Sequence, residues 1–190
     1  IKSLIEFEFD KKLIKFNNII CTSTPRRIVL LLDGLVDYAD DKTVIRKGPR
    51  ATSAFVNDTP TNAALGFANS LGIKVEDLEI KKTEKGDFVF GKKIEKGDST
   101  RSSLSYIIPK VIKNLQGPRF MKWGAGSFKF SRPIRWIVSI YNDEILNFSF
   151  EECDPTIKIG NKSKSHRLIN KIIKIDTPDN YFALMEKNGV

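Results

Sequence analysis

At 190 residues, 41% apolar and 29% charged, the chain has room for one ordinary domain or two small ones, and thirteen Phe residues can fill a core without staples. Two cysteines, Cys21 and Cys153, exclude a disulfide framework or a CxxC metal pair, and the lack of any run of about 18 apolar residues excludes a membrane-spanning helix. Lys plus Arg outnumber the acids 32 to 23, and a net charge of +9 suits a polyanionic partner as readily as it suits mere solubility.

In chain order, residues 1–9 mix Leu4, Ile5 and Phe7 with acids and read as the tail of a helix. The chain opens inside this apolar-periodic segment and stops at Gly189-Val190, so both ends are expected to be cuts in something longer. Strands are predicted at 19–22 and 27–35 from their β-branched and aliphatic residues. The run Ile28-Val29-Leu30-Leu31-Leu32 lacks polar alternation, which predicts a strand covered on both faces. Cys21 lies among β-formers and is expected to be a small buried hydrophobe, with reducing cytosol as the compartment. A charged turn at 37–42 leads to an extended segment, 44–50, ending at Gly48-Pro49.

Thr59-Pro60 reads as an N-cap followed by proline at the first helical position. The helix that follows runs to Leu71, with Ala63, Ala64, Phe67, Ala68 and Leu71 on one face and Gly72 as its left-handed stop. Gly66 inside it costs about 1 kcal/mol against alanine, which predicts close approach of another backbone. Residues 78–83 and 88–94 form a hairpin around Glu84-Lys85-Gly86-Asp87. Leu104, Ile107, Ile108, Val111, Ile112 and Leu115 then mark a helix capped by Asp98 or Ser99. Pro109 inside it costs about 3 kcal/mol and predicts a kink. A second hairpin is predicted from 134–141 and 144–150 around Asn142-Asp143, followed by an irregular basic loop from Asp154 to Arg167. A short strand at 172–175 and a last helix, capped by Asp176-Thr177-Pro178 and ending near Gly189, complete the chain. Strands and helices are interspersed with hairpins, so the class is α+β: mixed, largely antiparallel sheets with hairpins packed against about three to four helices. Two subdomains, 1–118 and 119–190, are a possible division.

A single histidine rules out a His cluster for metal, and any Ser–His–Asp arrangement would have to use His166. No GxxxxGK[ST] loop and no GxGxxG after a strand is present. Ser163-Lys164-Ser165 resembles the end of a class I synthetase signature, but no HIGH-type partner accompanies it and we treat the match as coincidence. Glu151 and Glu152 are neighbours in a presumed strand, face opposite ways and form no acid–base couple.

Three basic spots remain. Arg119, Lys122, Lys129, Arg132 and Arg135 alternate with Phe120, Trp123, Phe128, Phe130 and Trp136, a mixture suited to phosphates and stacked bases. Trp136 shares a strand face with Ile134, Val138 and Ile140 and is expected in the core. Arg132 and Arg135 stand equally between RNA contact and structural ion pairs. Arg26 and Arg27, after Thr24-Pro25, offer a strand-start salt bridge or an RNA contact. Lys162, Lys164, His166 and Arg167 form the third spot, in which His166 reads first as a hydrogen-bonding loop residue.

The order of local motifs is more specific than any one of them. Thr24-Pro25-Arg26-Arg27, Lys47-Gly48-Pro49, the segment from Pro60 to Ala68, Lys85-Gly86-Asp87-Phe88, Met121-Lys122-Trp123-Gly124, Phe130-Ser131-Arg132-Pro133-Ile134-Arg135-Trp136 and Ser165-His166-Arg167-Leu168 together resemble the bacterial glycyl-tRNA synthetase beta subunit. Lys122 stands where that family has an arginine, which keeps charge but loses the bidentate fork. Ser165 and Leu168 depart from its Gly-His-Arg-Phe pattern, and its opening Ile-Gly-Thr-Glu-Glu-Leu-Pro-like stretch is absent. The resemblance implies roughly the first third of a longer beta subunit, within a cytoplasmic enzyme of two alpha and two beta subunits. That enzyme attaches glycine to tRNA(Gly) using ATP. ATP and Mg2+ are then expected on the alpha subunit, with no cofactor and no catalytic residue in this segment and no membrane partner. The resemblance makes Arg26, Arg27, Lys122, Arg132, Arg135, Lys164, His166 and Arg167 the candidates for tRNA binding. Two other readings stay open: a hydrolytic editing domain, and an interaction scaffold whose charge is incidental.

Overall fold

The computed structural model describes residues 1–57, 59–150 and 157–190. Along the chain come α1 (Lys2–Lys12), β1 (Asn18–Thr24), β2 (Arg27–Asp33), β3 (Lys42–Arg50), α2 (Ala51–Ala54), β4 (Phe55–Val56), β5 (Thr59–Pro60), α3 (Asn62–Leu71), β6 (Glu79–Thr83) and β7 (Gly86–Glu95). After these follow α4 (Thr100–Lys113), β8 (Met121–Lys122), β9 (Lys129–Phe130), β10 (Trp136–Val138), β11 (Ile140–Tyr141), β12 (Glu144–Ile145), β13 (Lys158–Gly160), β14 (Lys162–Lys164), β15 (Ile172–Lys174) and α5 (Tyr181–Lys187). The strands pair in small, mostly antiparallel sheets, and the α+β expectation holds. Among the described residues there are five α-helices rather than three or four, the extra one being the single turn α2. Two compact units emerge: Asp40–Gly97 as one, and Ile1–Ala39 with Asp98–Val190 as the other.

In the split unit, α1 and α4 bury Ile5, Phe9, Leu104, Ile107 and Val111 together with Ile14 and Ile19. Phe9 is wholly enclosed, its ring edge-on to Phe16 at 5.6 Å between centroids. Helix α4 runs through Pro109, which is itself buried, and Ser99 is its N-cap residue without a side-chain hydrogen bond. Strands β1 and β2 form an antiparallel ribbon whose Leu30 and Leu32 reach this core. The ribbon outruns the helices, however. No residue of β2 is buried and Ile28 is half exposed, which corrects the expectation of a strand covered on both faces. Cys21 is exposed for the same reason.

Farther along, the predicted 134–150 hairpin is only partly realised. Ile140-Tyr141 and Glu144-Ile145 do pair around the left-handed Asn142, but Trp136–Val138 instead pairs parallel to Lys158–Gly160. The break falls at buried Ser139, whose amide donates to the carbonyl of Gly160 and whose carbonyl accepts from Leu146. The expected irregular basic loop is likewise corrected in its second half: Lys162–Lys164 is a strand, antiparallel to Ile172–Lys174. Glu151, Glu152, Cys153 and the loop's Asp154-Pro155 start lie outside the described residues. A second small core joins Ile173 and Ile175 to Met185, with Val138, Tyr181 and Leu184 around them. The last helix begins at Tyr181, with Asn180 as its N-cap residue, later than predicted, because Pro178 sits in a turn whose carbonyl accepts from Tyr181.

The 40–97 unit is a three-stranded antiparallel sheet, β3–β7–β6, with α3 packed on one face. Thr59-Pro60 does not start that helix but pairs with Phe55-Val56 as a short hairpin. Thr61 is the N-cap residue, and its hydroxyl donates to the carbonyls of Ser53 and Ala54, tying α3 to the preceding turn. Ala64, Ala68 and Leu71 are buried as predicted, while Ala63 is exposed. Gly72 ends the helix at φ 69°, where glycine carries no Cβ penalty. Gly66 is exposed with open space where a Cβ would stand, so its expected close backbone approach is absent. Close packing falls instead on Gly91 in β7, where a Cβ would run into the side chains of Leu71 and Ile73.

Candidate nucleic-acid interface

Pro25 and Arg26 are the two-residue loop of the β1–β2 ribbon, with Thr24 facing Arg27 across it. Arg26 is exposed at this tip, and its amide donates to Thr24 Oγ1 at 3.3 Å. Arg27 is half-buried. Its Nη2 donates to the carbonyl of Lys164, while its buried Nε has no acceptor among the described residues. Among the described residues the strand-start salt bridge is not formed, because a neutral carbonyl takes the place of a carboxylate. Burial pushes the Tyr181 phenol above its ordinary value, and the nearby Arg27 charge opposes that rise.

Strand β14 explains how Lys164 is presented. Alternation turns Ser163 inward, where it is buried, and leaves Lys162 and Lys164 outside. Lys164 Nζ lies 5.7 Å from the Trp136 ring centre, so the half-buried Trp136 is a floor beneath a cation as well as a strand residue. Lys162 faces Lys174 across the pair, and like charges placed opposite destabilise a sheet. Asp176, 2.6 Å from Lys174, offsets part of this repulsion. Arg27, Trp136 and Lys164, far apart in sequence, thus meet in one place.

His166 and Arg167 follow on an exposed turn. Ser165 closes it at both ends, since its amide donates to the carbonyl of Lys171 at 2.8 Å and its hydroxyl accepts from the Lys171 amide at 2.7 Å. The carbonyl of His166 accepts from the amides of Ile169 and Asn170, and its Nδ1 accepts from the Leu168 amide at 3.4 Å. His166 is thus the hydrogen-bonding organiser of its loop.

The segment from Arg119 to Trp136 divides its aromatic and basic residues. Phe120, Phe128 and Phe130 pack on one another, with Phe128 also edge-on to Phe150 at 5.1 Å. Trp123 Nε1 donates to the Phe130 carbonyl at 2.9 Å and pins the β8–β9 hairpin. Their rings are committed to this packing. Lys122 stays exposed and faces Lys129 across the hairpin, a second like-charged pair. Arg132 and Arg135 are exposed and have no ion pair among the described residues. No hydrogen bond or cation–π contact ties Lys122, Arg132 or Arg135 to the Arg27–Lys164–Trp136 group. A hollow of about 580 Å³ beside this hairpin, lined by Lys113, Gln116, Phe120, Phe128 and Lys129 among others, presents no carboxylate, histidine or cysteine among the described residues.

Sequence reasoning found no site in the 40–97 unit, yet Phe88 and Phe90 there lie beneath Lys47, Arg50 and Lys81. The available signal was the Phe-x-Phe spacing in a strand, which places both rings on one face. Glu79 on the neighbouring strand is held below the usual carboxylate range by the hydrogen bond from Lys92 and then by Lys81.

A family model described as glycyl-tRNA synthetase beta subunit matches residues 1–190. The glycine–tRNA ligase beta subunit of Acaryochloris marina is 38% identical over 190 residues, covering 100% of this chain and 27% of its own. That of Halothermothrix orenii is 38% identical over 192 residues, again 100% and 27%. That of Clostridioides difficile is 36% identical over 184 residues, 96% and 26%. The chain thus spans about a quarter of the length of these relatives.

Proposed function

Because the chain belongs to the glycyl-tRNA synthetase beta subunit family, we propose that it is a noncatalytic, tRNA-contacting and scaffolding region of a glycine–tRNA ligase beta subunit. In this reading the whole enzyme is a cytoplasmic assembly of two alpha and two beta subunits that joins glycine to tRNA(Gly) at the expense of ATP. ATP and Mg2+ belong to the alpha subunit. The described residues form no group of three His, Cys, Asp or Glu side chains suited to a metal, and no step is assigned to one here. Among the described residues no helix is long and apolar enough to cross a membrane.

One observation carries the tRNA reading: Arg27, Lys162 and Lys164 gather on one surface, and none of them has an ion pair among the described residues. Such a surface is repulsive in isolation and gains by neutralising phosphates, with release of their counterions. Exposed Arg26 and Arg167 are the residues best placed to extend it. Changing Lys162, Lys164 and Arg167 together to alanine is expected to weaken tRNA binding by about 10- to 100-fold at low salt, uniformly across tRNA sequences. Filter binding or fluorescence anisotropy reads this directly, and unchanged affinity would refute phosphate contact at this surface. The editing reading loses support from His166, whose Nδ1 is occupied by the Leu168 amide. The scaffold reading has one observation in its favour, the exposure of Leu168 at 82% and Ile172 at 63%. Capture of the alpha subunit without tRNA, insensitive to the three alanines, would support it.

A further inference from the structure

Strand β7 is the middle strand of the 40–97 sheet, and its two faces have different fates. Val89 and Gly91 point toward α3 and are buried. By alternation Phe88, Phe90, Lys92 and Ile94 point the other way. Neither Phe88 nor Phe90 joins the unit's core, which is built from Ala54, Ala64 and Val89 with Phe55, Phe67, Val75 and Leu78. The register sets Lys47 and Glu79 on either side of Phe90, and Arg50 and Lys81 on either side of Phe88. Lys47 Nζ is 3.4 Å from the centre of the Phe88 ring, Arg50 Cζ is 6.0 Å from it, and Lys81 Nζ is 5.8 Å from the Phe90 ring. Ile45 and Ile94 continue the same face into solvent, 54% and 66% exposed.

A sheet normally spends two phenylalanines of its central strand on a core. Here they lie half-buried on the face opposite the helix, with the cationic heads of Lys47, Arg50 and Lys81 over them. The charge is one-sided as well: among the described residues Lys47, Arg50, Lys81 and Lys92 share the face with one carboxylate, that of Glu79, which Lys92 and Lys81 already hold at 2.6 and 3.1 Å. Rings two residues apart on a strand stand about 7 Å apart, a spacing that unpaired, splayed bases can follow and stacked duplex bases cannot. Aromatic side chains on an open sheet face with basic residues at the rim are a recurrent platform for unpaired RNA.

We propose that this face binds two consecutive unpaired nucleotides of an RNA strand, the bases stacking on Phe88 and Phe90 and the phosphates meeting Lys47, Arg50 and Lys81. The proposal rests on the RNA-contacting reading above but concerns different residues in the other unit. Binding displaces the lysine heads from the rings onto phosphate oxygens, so each cation exchanges a ring for a formal charge.

The test is anisotropy of labelled hexauridylate and of an RNA duplex of equal length, measured with the chain and with Phe88→Leu, Phe90→Leu and Phe90→Tyr. Hexauridylate is expected to bind more tightly than the duplex. Each leucine is expected to weaken it roughly five- to tenfold, and the tyrosine, which keeps a stacking face, less than about twofold. Ultraviolet crosslinks from 4-thiouridine are expected within residues 86–95. Leucine variants that bind hexauridylate like the parent, or an acidic peptide that competes equally well, would overturn the proposal. If tRNA binding persists while hexauridylate fails, only this sheet site falls. If neither RNA binds, the reading beneath it falls too.

Discussion

Phe9→Ala is expected to destabilise the split unit by about 3–5 kcal/mol, the cost of deleting a wholly buried aromatic side chain and leaving a cavity. Phe9 has no exposed surface and sits among Ile5, Ile14, Leu104, Ile107 and Val111 where α1 meets α4. Its neighbours cannot close the gap cheaply, because Phe16 is already set edge-on to it and Pro109 stiffens the facing helix. Stability of a domain is only about 5–15 kcal/mol in total, so the loss is a large share. Urea unfolding followed by circular dichroism reads it as a lowered midpoint with an unchanged slope. The neighbouring Phe7, 55% exposed on the same helix, is the control, and Phe7→Ala is expected to cost less than about 1 kcal/mol.

The second large effect lies in the 40–97 unit. Val89 has no exposed surface and packs with Ala54 and Ala64 beneath α3. Val89→Asp is expected to cost roughly 3–5 kcal/mol, combining lost apolar burial with a buried carboxyl that has no donor waiting for it. Hydrogen exchange is the appropriate measurement, since it reports the unit locally. Amides of residues 62–71 and 79–95 are expected to lose protection, and wild-type protection there would show that Val89 is not the keystone of this sheet.

Local periodicity carried much of the fold. The helix at 100–113 was legible because its apolar residues recur at helical spacing strongly enough to outweigh Pro109. The 79–95 hairpin was legible from Gly86, which adopts φ 111°, a conformation few other residues tolerate. What failed depended on partners remote in sequence. Nothing local says that Trp136–Val138 pairs with Lys158–Gly160, or that β2 stays in a two-stranded ribbon with little to cover its outer face. The Thr59-Pro60 error arose because Thr61, two residues on, is the N-cap residue, and its hydroxyl donates to the carbonyls of Ser53 and Ala54.

The candidate site was legible in its charges and not in its assembly. Arg27 and Lys164 were both singled out from sequence, yet their shared contact, and the Trp136 ring beneath Lys164, required the tertiary structure. The aromatics of the 119–136 segment show the converse. Their interleaving with cations suggested base stacking, but Phe120, Phe128 and Phe130 spend their rings on one another. Phe88 and Phe90, by contrast, lie half-buried beneath cations, in a strand that the charge pattern alone did not mark.

The most direct test of tRNA contact is the salt dependence of tRNA binding by the chain. Binding through several phosphates predicts that log K falls linearly with log salt, with a slope of roughly −0.7 to −0.9 for each phosphate neutralised. With Arg26, Lys162, Lys164 and Arg167 engaged, a total slope near −3 is expected. A slope near zero would contradict the account, leaving this region a scaffold whose positive charge is incidental.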